Sequence, residues 1–195
     1  MSAPVHRTAR SQSGIALITA LIFLVVITIV GMTMFKGFLL QERIARNTRE
    51  KQRAFQAAQS TLKYAEKWLN RGDGSNPGTC NSLVNADTAP DSVVICSNAL
   101  TNAQLTSIPW TVSGTTTDLG YNHTPPGMTV QSGPGGVNTY AVIPRFYISP
   151  LGLDPTGTQF LYQVSAMAQG ASAASDVVVQ SVYGVQSSVV DAGAP

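Results

Sequence analysis

The sequence predicts an α+β fold in which one long N-terminal α-helix packs on an antiparallel β-sheet. Three observations lead there. A 21-residue uncharged apolar run, Ile15 to Phe35, continues without a proline into a charged, helix-patterned stretch that ends near Arg71. The remainder, from Gly72 on, is rich in Ser, Thr, Asn, Gly and Val, the composition of extended strands joined by turns. Strand-like runs then follow one another after the single helix, which favours an α+β unit with antiparallel pairing.

Charge is segregated along the chain. Net charge is +2, yet eleven of the twelve Lys and Arg residues lie at or before Arg71. Beyond it Arg145 stands alone against seven aspartates, giving that body a formal charge of −6 and making a nucleic-acid surface there an unfavourable reading.

Residues 1–14 form a short leader with His6, Arg7 and Arg10. The apolar run that follows, residues 15–35, is long enough as a helix to cross about 30 Å of hydrocarbon. It exceeds the h-region of a cleaved secretory signal, lacks an A-x-A-like site and passes directly into helix, so a membrane anchor fits better. Orientation is contradictory at this level. Two Arg precede the run and six Lys or Arg lie between Lys36 and Arg53, which read literally places the body in the cytoplasm. The body's composition and its cysteines point to the opposite side.

Residues 36–71 form an amphipathic stem. Phe55, Ala58, Leu62, Ala65 and Leu69 recur at alternating spacings of three and four and share one stripe. Phe55, Leu62 and Trp68 are therefore expected in the core. Glu42 and Arg46 stand at favourable i,i+4 spacing. The basic residues from Arg43 to Arg53 read equally as a lipid-headgroup contact or a solvated face. Gly72, with Asp73, Gly74 and Pro77, is expected to stop the helix.

Residues 72–106 read as a connecting region and 107–195 as the C-terminal sheet domain. Cys80 and Cys96 stand 16 apart. Outside the inner membrane they imply one disulfide closing a loop, with two buried thiols as the alternative. Strands are expected over Ile108–Ser113, Thr139–Ile148, Gln159–Ala168 and Asp176–Tyr183, the last β-branched enough to be central. Pro144 marks an edge or a bulge, and Gly114–Gly136 is turn-rich.

Chemistry-bearing motifs are few. GxSxG, HExxH, Walker and CxxC patterns are absent from the sequence. Gly133–Gly136 reads as a turn, Asp73-Gly74-Ser75-Asn76 as a helix-terminating turn without the acidic residue that closes a calcium loop, and Asp154 as a turn aspartate. His123 has no evident Ser or Cys partner, and Asn122-His123-Thr124 is a formal glycosylation sequon of low specificity. An enzyme, a cofactor, a metal and a small-molecule substrate are all unsupported.

The leader junction carries a more specific signal. A basic leader and Ser13-Gly14 stand directly before SGIALITALIFLVVITIVG, and QERIARNTREKQRAFQAAQSTLKYAE follows. This arrangement resembles the type IV prepilin and pseudopilin family, and within it the PilX-type minor pilins. The carboxy end LYQVSAMAQGASAASDVVVQSVYGV is also similar to theirs. The resemblance implies a pilin-like fold and cleavage by a prepilin peptidase between Gly14 and Ile15, with N-methylation of Ile15. It implies an inner-membrane span with the C-terminal domain in the periplasm, which resolves the charge conflict. Incorporation into a pilus (fimbrium) would follow, beside other minor pilins and the major pilin. Major pilins of this family carry glutamate as the fifth residue after the cut, and here that residue is Thr19. A carboxylate within the bilayer costs about 2.5–3.5 kcal/mol; in the family it pairs with a neighbour's amino terminus. Thr19 cannot, and its hydroxyl is expected to bond back to a carbonyl one turn earlier. That points to a tip or initiation subunit, with a tolerated Thr19 in a subunit dispersed at low copy as the alternative; priming of pilus assembly, presentation of a tip adhesin, adhesion and twitching motility are the implied roles. A minor pseudopilin of type II secretion is the close rival, and a signal-anchored periplasmic enzyme the distant one.

Overall fold

The structure, a computed structural model, describes residues 13–71, 77–129, 140–172 and 174–186. The leader through residue 12, the helix stop at Gly72, the Asp73–Asn76 turn, the Gly133–Gly136 turn and Thr139 lie outside the described residues. The chain divides into two compact units, Met1–Arg46 and Asn47–Pro195. Helix α1, Ser13–Asn70, runs through both, as the absence of proline and of any strong breaker requires.

In the first unit, Gly14–Met34 is long and apolar enough to cross a membrane, with a mean hydropathy of 2.9 and none of its side chains buried. Its threonines do not leave hydroxyls unpaired. Thr28 and Thr33 donate to the carbonyls of Val25 and Val30, each at 2.8 Å. Glu42 and Arg46 form the expected pair at 3.4 Å, both exposed.

In the second unit the helix packs on a five-stranded sheet. The strands of the chain are β1 (Pro77–Gly78), β2 (Leu83–Asn85), β3 (Ile95–Cys96), β4 (Gly120–Asn122), β5 (Arg145–Leu153), β6 (Gln159–Gln169) and β7 (Asp176–Gln186). A short helix, α2 (Asn102–Thr106), opens on a capping box in which Thr101 and Gln104 satisfy each other's backbone amides. The main sheet has the order β2-β4-β5-β6-β7; β1 and β3 form a separate parallel pair. The three long strands are antiparallel, while the three-residue β2 joins at the edge in parallel with β4.

Both faces of the central strands are covered. Phe146, Ile148, Val164 and Ala166 point to the helix, with Tyr64 on α1 lying 5.7 Å from the Phe146 ring. Tyr147 and Arg145 point to the opposite face, where Trp110 meets Tyr147 edge-on at 6.5 Å. The segment between β2 and β4, which holds β3 and Trp110, is therefore a third layer over the sheet. Gly120 in β4 leaves room for it: its φ is +106°, and a Cβ there would stand 3.6 Å from the Trp110 ring and 3.0 Å from the carbonyl oxygen of Phe146 on the neighbouring strand.

Several expectations are corrected. The buried stripe of α1 is Ala54, Ala57, Ala58, Thr61, Ala65, Trp68 and Leu69, whereas Phe55 is 44% exposed. Small residues line the contact, so the helix approaches the sheet closely and its stripe is centred one residue away from Phe55. Ile108–Ser113 is not a strand; it contributes one bridge, Thr111 to Asp118. Pro109 offers no amide to a ladder, and Trp110 is fully buried. The Thr139–Ile148 run becomes β5 only after Pro144, and continues past Ile148 because a bulge between Pro150 and Gly152 absorbs the second proline. The Asp176–Tyr183 run lies at the sheet's edge, not its centre. Val177, Val179 and Val185 satisfy one half-buried face, which an edge strand needs as much as a central one.

Candidate functional site

The residues singled out by the sequence fall into two places. At the start of α1, Gly14 and Ile15 are exposed, Ile15 by 66%, and a Cβ on Gly14 would meet nothing within 4 Å. One turn on, the Thr19 hydroxyl donates to the carbonyls of Ala16 at 3.0 Å and Ile15 at 3.1 Å. The hydroxyl is thus consumed within its own helix, as its chemistry predicts.

In the second unit, Cys80 and Cys96 form a disulfide with their Cα atoms 5.3 Å apart. It joins the ends of β1 and β3 and is fastened on both sides. Asn98 accepts from the Cys80 amide at 3.0 Å and donates to the Cys80 carbonyl at 2.9 Å. Tyr121 on β4 brings its hydroxyl 3.1 Å from Cys80 Sγ and accepts from the Val94 amide at 3.2 Å. Burial raises the Tyr121 phenol above its ordinary pKa, and the Val94 amide partly offsets this.

His123 is held as a packing residue. Its ring stacks on Tyr64 with centroids 3.8 Å apart, and Nδ1 lies 2.6 Å from Asp87 Oδ1. Asp87 also accepts from the Thr124 amide at 2.8 Å. Asn122 of the sequon sits in β4 between two paired strands, its Oδ1 buried. Asp154 closes the β5–β6 hairpin: it accepts from the amides of Thr158 at 2.8 Å and Gln159 at 3.0 Å and from the Thr156 hydroxyl. A cleft of about 420 Å³ between α1 and residues 125–129 has Arg53 at its wall, where the guanidinium lies 4.8 Å from the Tyr140 ring centroid and pairs with Glu50. Among the described residues no group of three His, Cys, Asp or Glu is placed to hold a metal.

Sequence reasoning did not find the carboxylates with which α1 grips the sheet. Glu50 accepts from the Ala171 amide at 2.8 Å, and Glu66 from the Ser181 hydroxyl at 2.8 Å. Both partners lie more than a hundred residues away. No local pattern could announce them.

Two family models match the chain. One, for the PilX N-terminal region, matches residues 13–63; the other, for the C-terminal region of the type IV pilus assembly protein PilX, matches residues 54–185. No curated protein and no solved structure matches it.

Proposed function

The chain belongs to the PilX family of type IV pilus assembly proteins, and from that premise we propose that it is a minor pilin acting at the pilus tip. It waits in the inner membrane through residues 15–35 with its C-terminal domain in the periplasm. A prepilin peptidase removes residues 1–14 between Gly14 and Ile15, and Ile15 is then N-methylated. The mature subunit joins other minor pilins and the major pilin through its apolar helix, primes assembly and supports a tip adhesin, with adhesion and twitching motility as consequences.

The observation that carries the tip reading is Thr19. At the place where a carboxylate would reach a neighbour's amino terminus, a hydroxyl is turned back onto Ile15 and Ala16. A subunit with no earlier neighbour has no use for that charge. The disulfide supports the periplasmic orientation, since such bonds persist in oxidising compartments.

Three measurements test this. Replacing Gly14 with a bulkier residue should leave a protein longer by the 14-residue leader; unchanged mobility on a gel removes the peptidase reading. Antibodies to the C-terminal domain should label pilus ends, and label spread along the shaft overturns the tip position. Deletion of the gene should abolish surface pili; normal pili with lost protein export would instead favour a secretion pseudopilin.

A further inference from the structure

An outermost strand needs protection, because its unpaired amides and carbonyls template pairing with other chains. β7 has almost none. It is eleven residues long and pairs with β6 at every position, with no bulge to interrupt its edge. It contains no proline, lysine or arginine, and its single charge, Asp176, stands at its first residue. Val182 on the face away from α1 is 64% exposed. Among the described residues no strand covers its outer edge.

Among the described residues, one carboxylate bonds to that strand from α1. Glu66 on α1 is half-buried and accepts from Ser181, the central residue of β7, through one carboxylate oxygen at 2.8 Å. A strand added outside β7 would carry a side chain about 5 Å from Ser181 on the same face, within reach of that carboxylate.

We infer that the outer edge of β7 accepts an extended segment of another protein, apolar on its α1-facing side and carrying Lys or Arg opposite Ser181. Backbone hydrogen bonds along the strand supply affinity and Glu66 sets register and selectivity. A second copy of this chain is a poor occupant. The twofold pairing that uses the whole edge is centred on Ser181, and it brings two Glu66 carboxylates together. The inference stands on the edge itself and survives loss of the tip reading.

The test uses the full-length chain in detergent micelles and two eleven-residue peptides of alternating Thr and Val, one with a central Lys and one with a central Glu. In the free protein, hydrogen exchange should find the outward-facing amides of β7 unprotected. The Lys peptide should protect them, and the Glu peptide should bind about tenfold more weakly, as expected for loss of a charge-assisted hydrogen bond. Glu66→Gln keeps an acceptor for Ser181 and should erase that difference. The inference is overturned if these amides are already protected in the monomer, if the chain sediments as a dimer with β7 protected, if the Lys peptide gives no protection, or if the two peptides bind equally.

Discussion

Asp154 illustrates what a single residue decides here. It terminates β5 and accepts from three neighbours within five positions, so the sequence LGLDPTG already announced a turn aspartate. The Thr156 hydroxyl, then the Gln159 and Thr158 amides, hold its carboxyl below the usual carboxylate pKa. The folded state therefore binds this proton more weakly than the unfolded chain does. The stabilisation is complete above the unfolded pKa and disappears as pH falls through the lower folded one. Asp154→Asn should lower the melting temperature slightly at neutral pH, and its deficit against the parent should shrink as pH falls below the usual carboxylate range. A deficit that is constant with pH would mean the charge does nothing. Tyr147 makes the contrasting case. Burial pushes its phenol far above the normal value, and its hydroxyl donates to the Asn98 carbonyl, 49 residues away. Nothing in the local sequence foretold that bond. Tyr147→Phe strands a carbonyl in the layer over the sheet and should cost about 1–3 kcal/mol in urea unfolding; an unchanged midpoint would show that water replaces the hydroxyl.

Among elements, legibility follows how local the deciding force is. β6 was readable from the alternation of Gln159–Ala168, which reflects its own pleat, and β7 from the β-branched run Asp176–Tyr183. β2 and β4, three residues each, are strands only because a neighbour already exists beside them, and the sequence carries no trace of that. β5 starts only after Pro144 and carries Pro150 inside it at a bulge, which the sequence displayed but whose effect depends on where the register can shift. The stem's stripe was found at Ala58, Leu62, Ala65 and Leu69 and missed at Phe55, since the alanines that mark a close helix–sheet approach are less visible than a phenylalanine. The cysteine pair was legible from spacing and expected compartment together. It links β1 to β3, and through Tyr121 and Asn98 it fastens the third layer to the sheet. Replacing both cysteines by alanine should cost about 3 kcal/mol, the loop entropy of this separation. The matching measurement is urea unfolding of oxidised, reduced and double-variant protein. Coincident curves would show that the hydrogen bonds around Asn98 alone hold the layer.

For the whole molecule, the decisive feature is where the core begins. The apolar side chains of α1 up to Met34 are exposed, and the buried residues of the described chain start at Ala54. The sequence showed this as a change from all-round apolarity to a single stripe, and it drew the anchor and the folded body from that change. Charge counting could not orient them, because the six basic residues after the span belong to the stem; Arg53 for one is spent on Glu50 and Tyr140 inside the body. If the anchor contributes nothing to the core, the unit Asn47–Pro195 should fold without it. A chain beginning at Asn47, expressed for export to an oxidising compartment, should be soluble without detergent. It should also unfold in one cooperative transition, with the Cys80–Cys96 bond formed. Circular dichroism through a thermal melt, paired with mass analysis under non-reducing conditions, reads both properties. Aggregation, or a broad non-cooperative melt with the disulfide intact, would mean that helix residues before Asn47 support the body and that the boundary in α1 is misplaced.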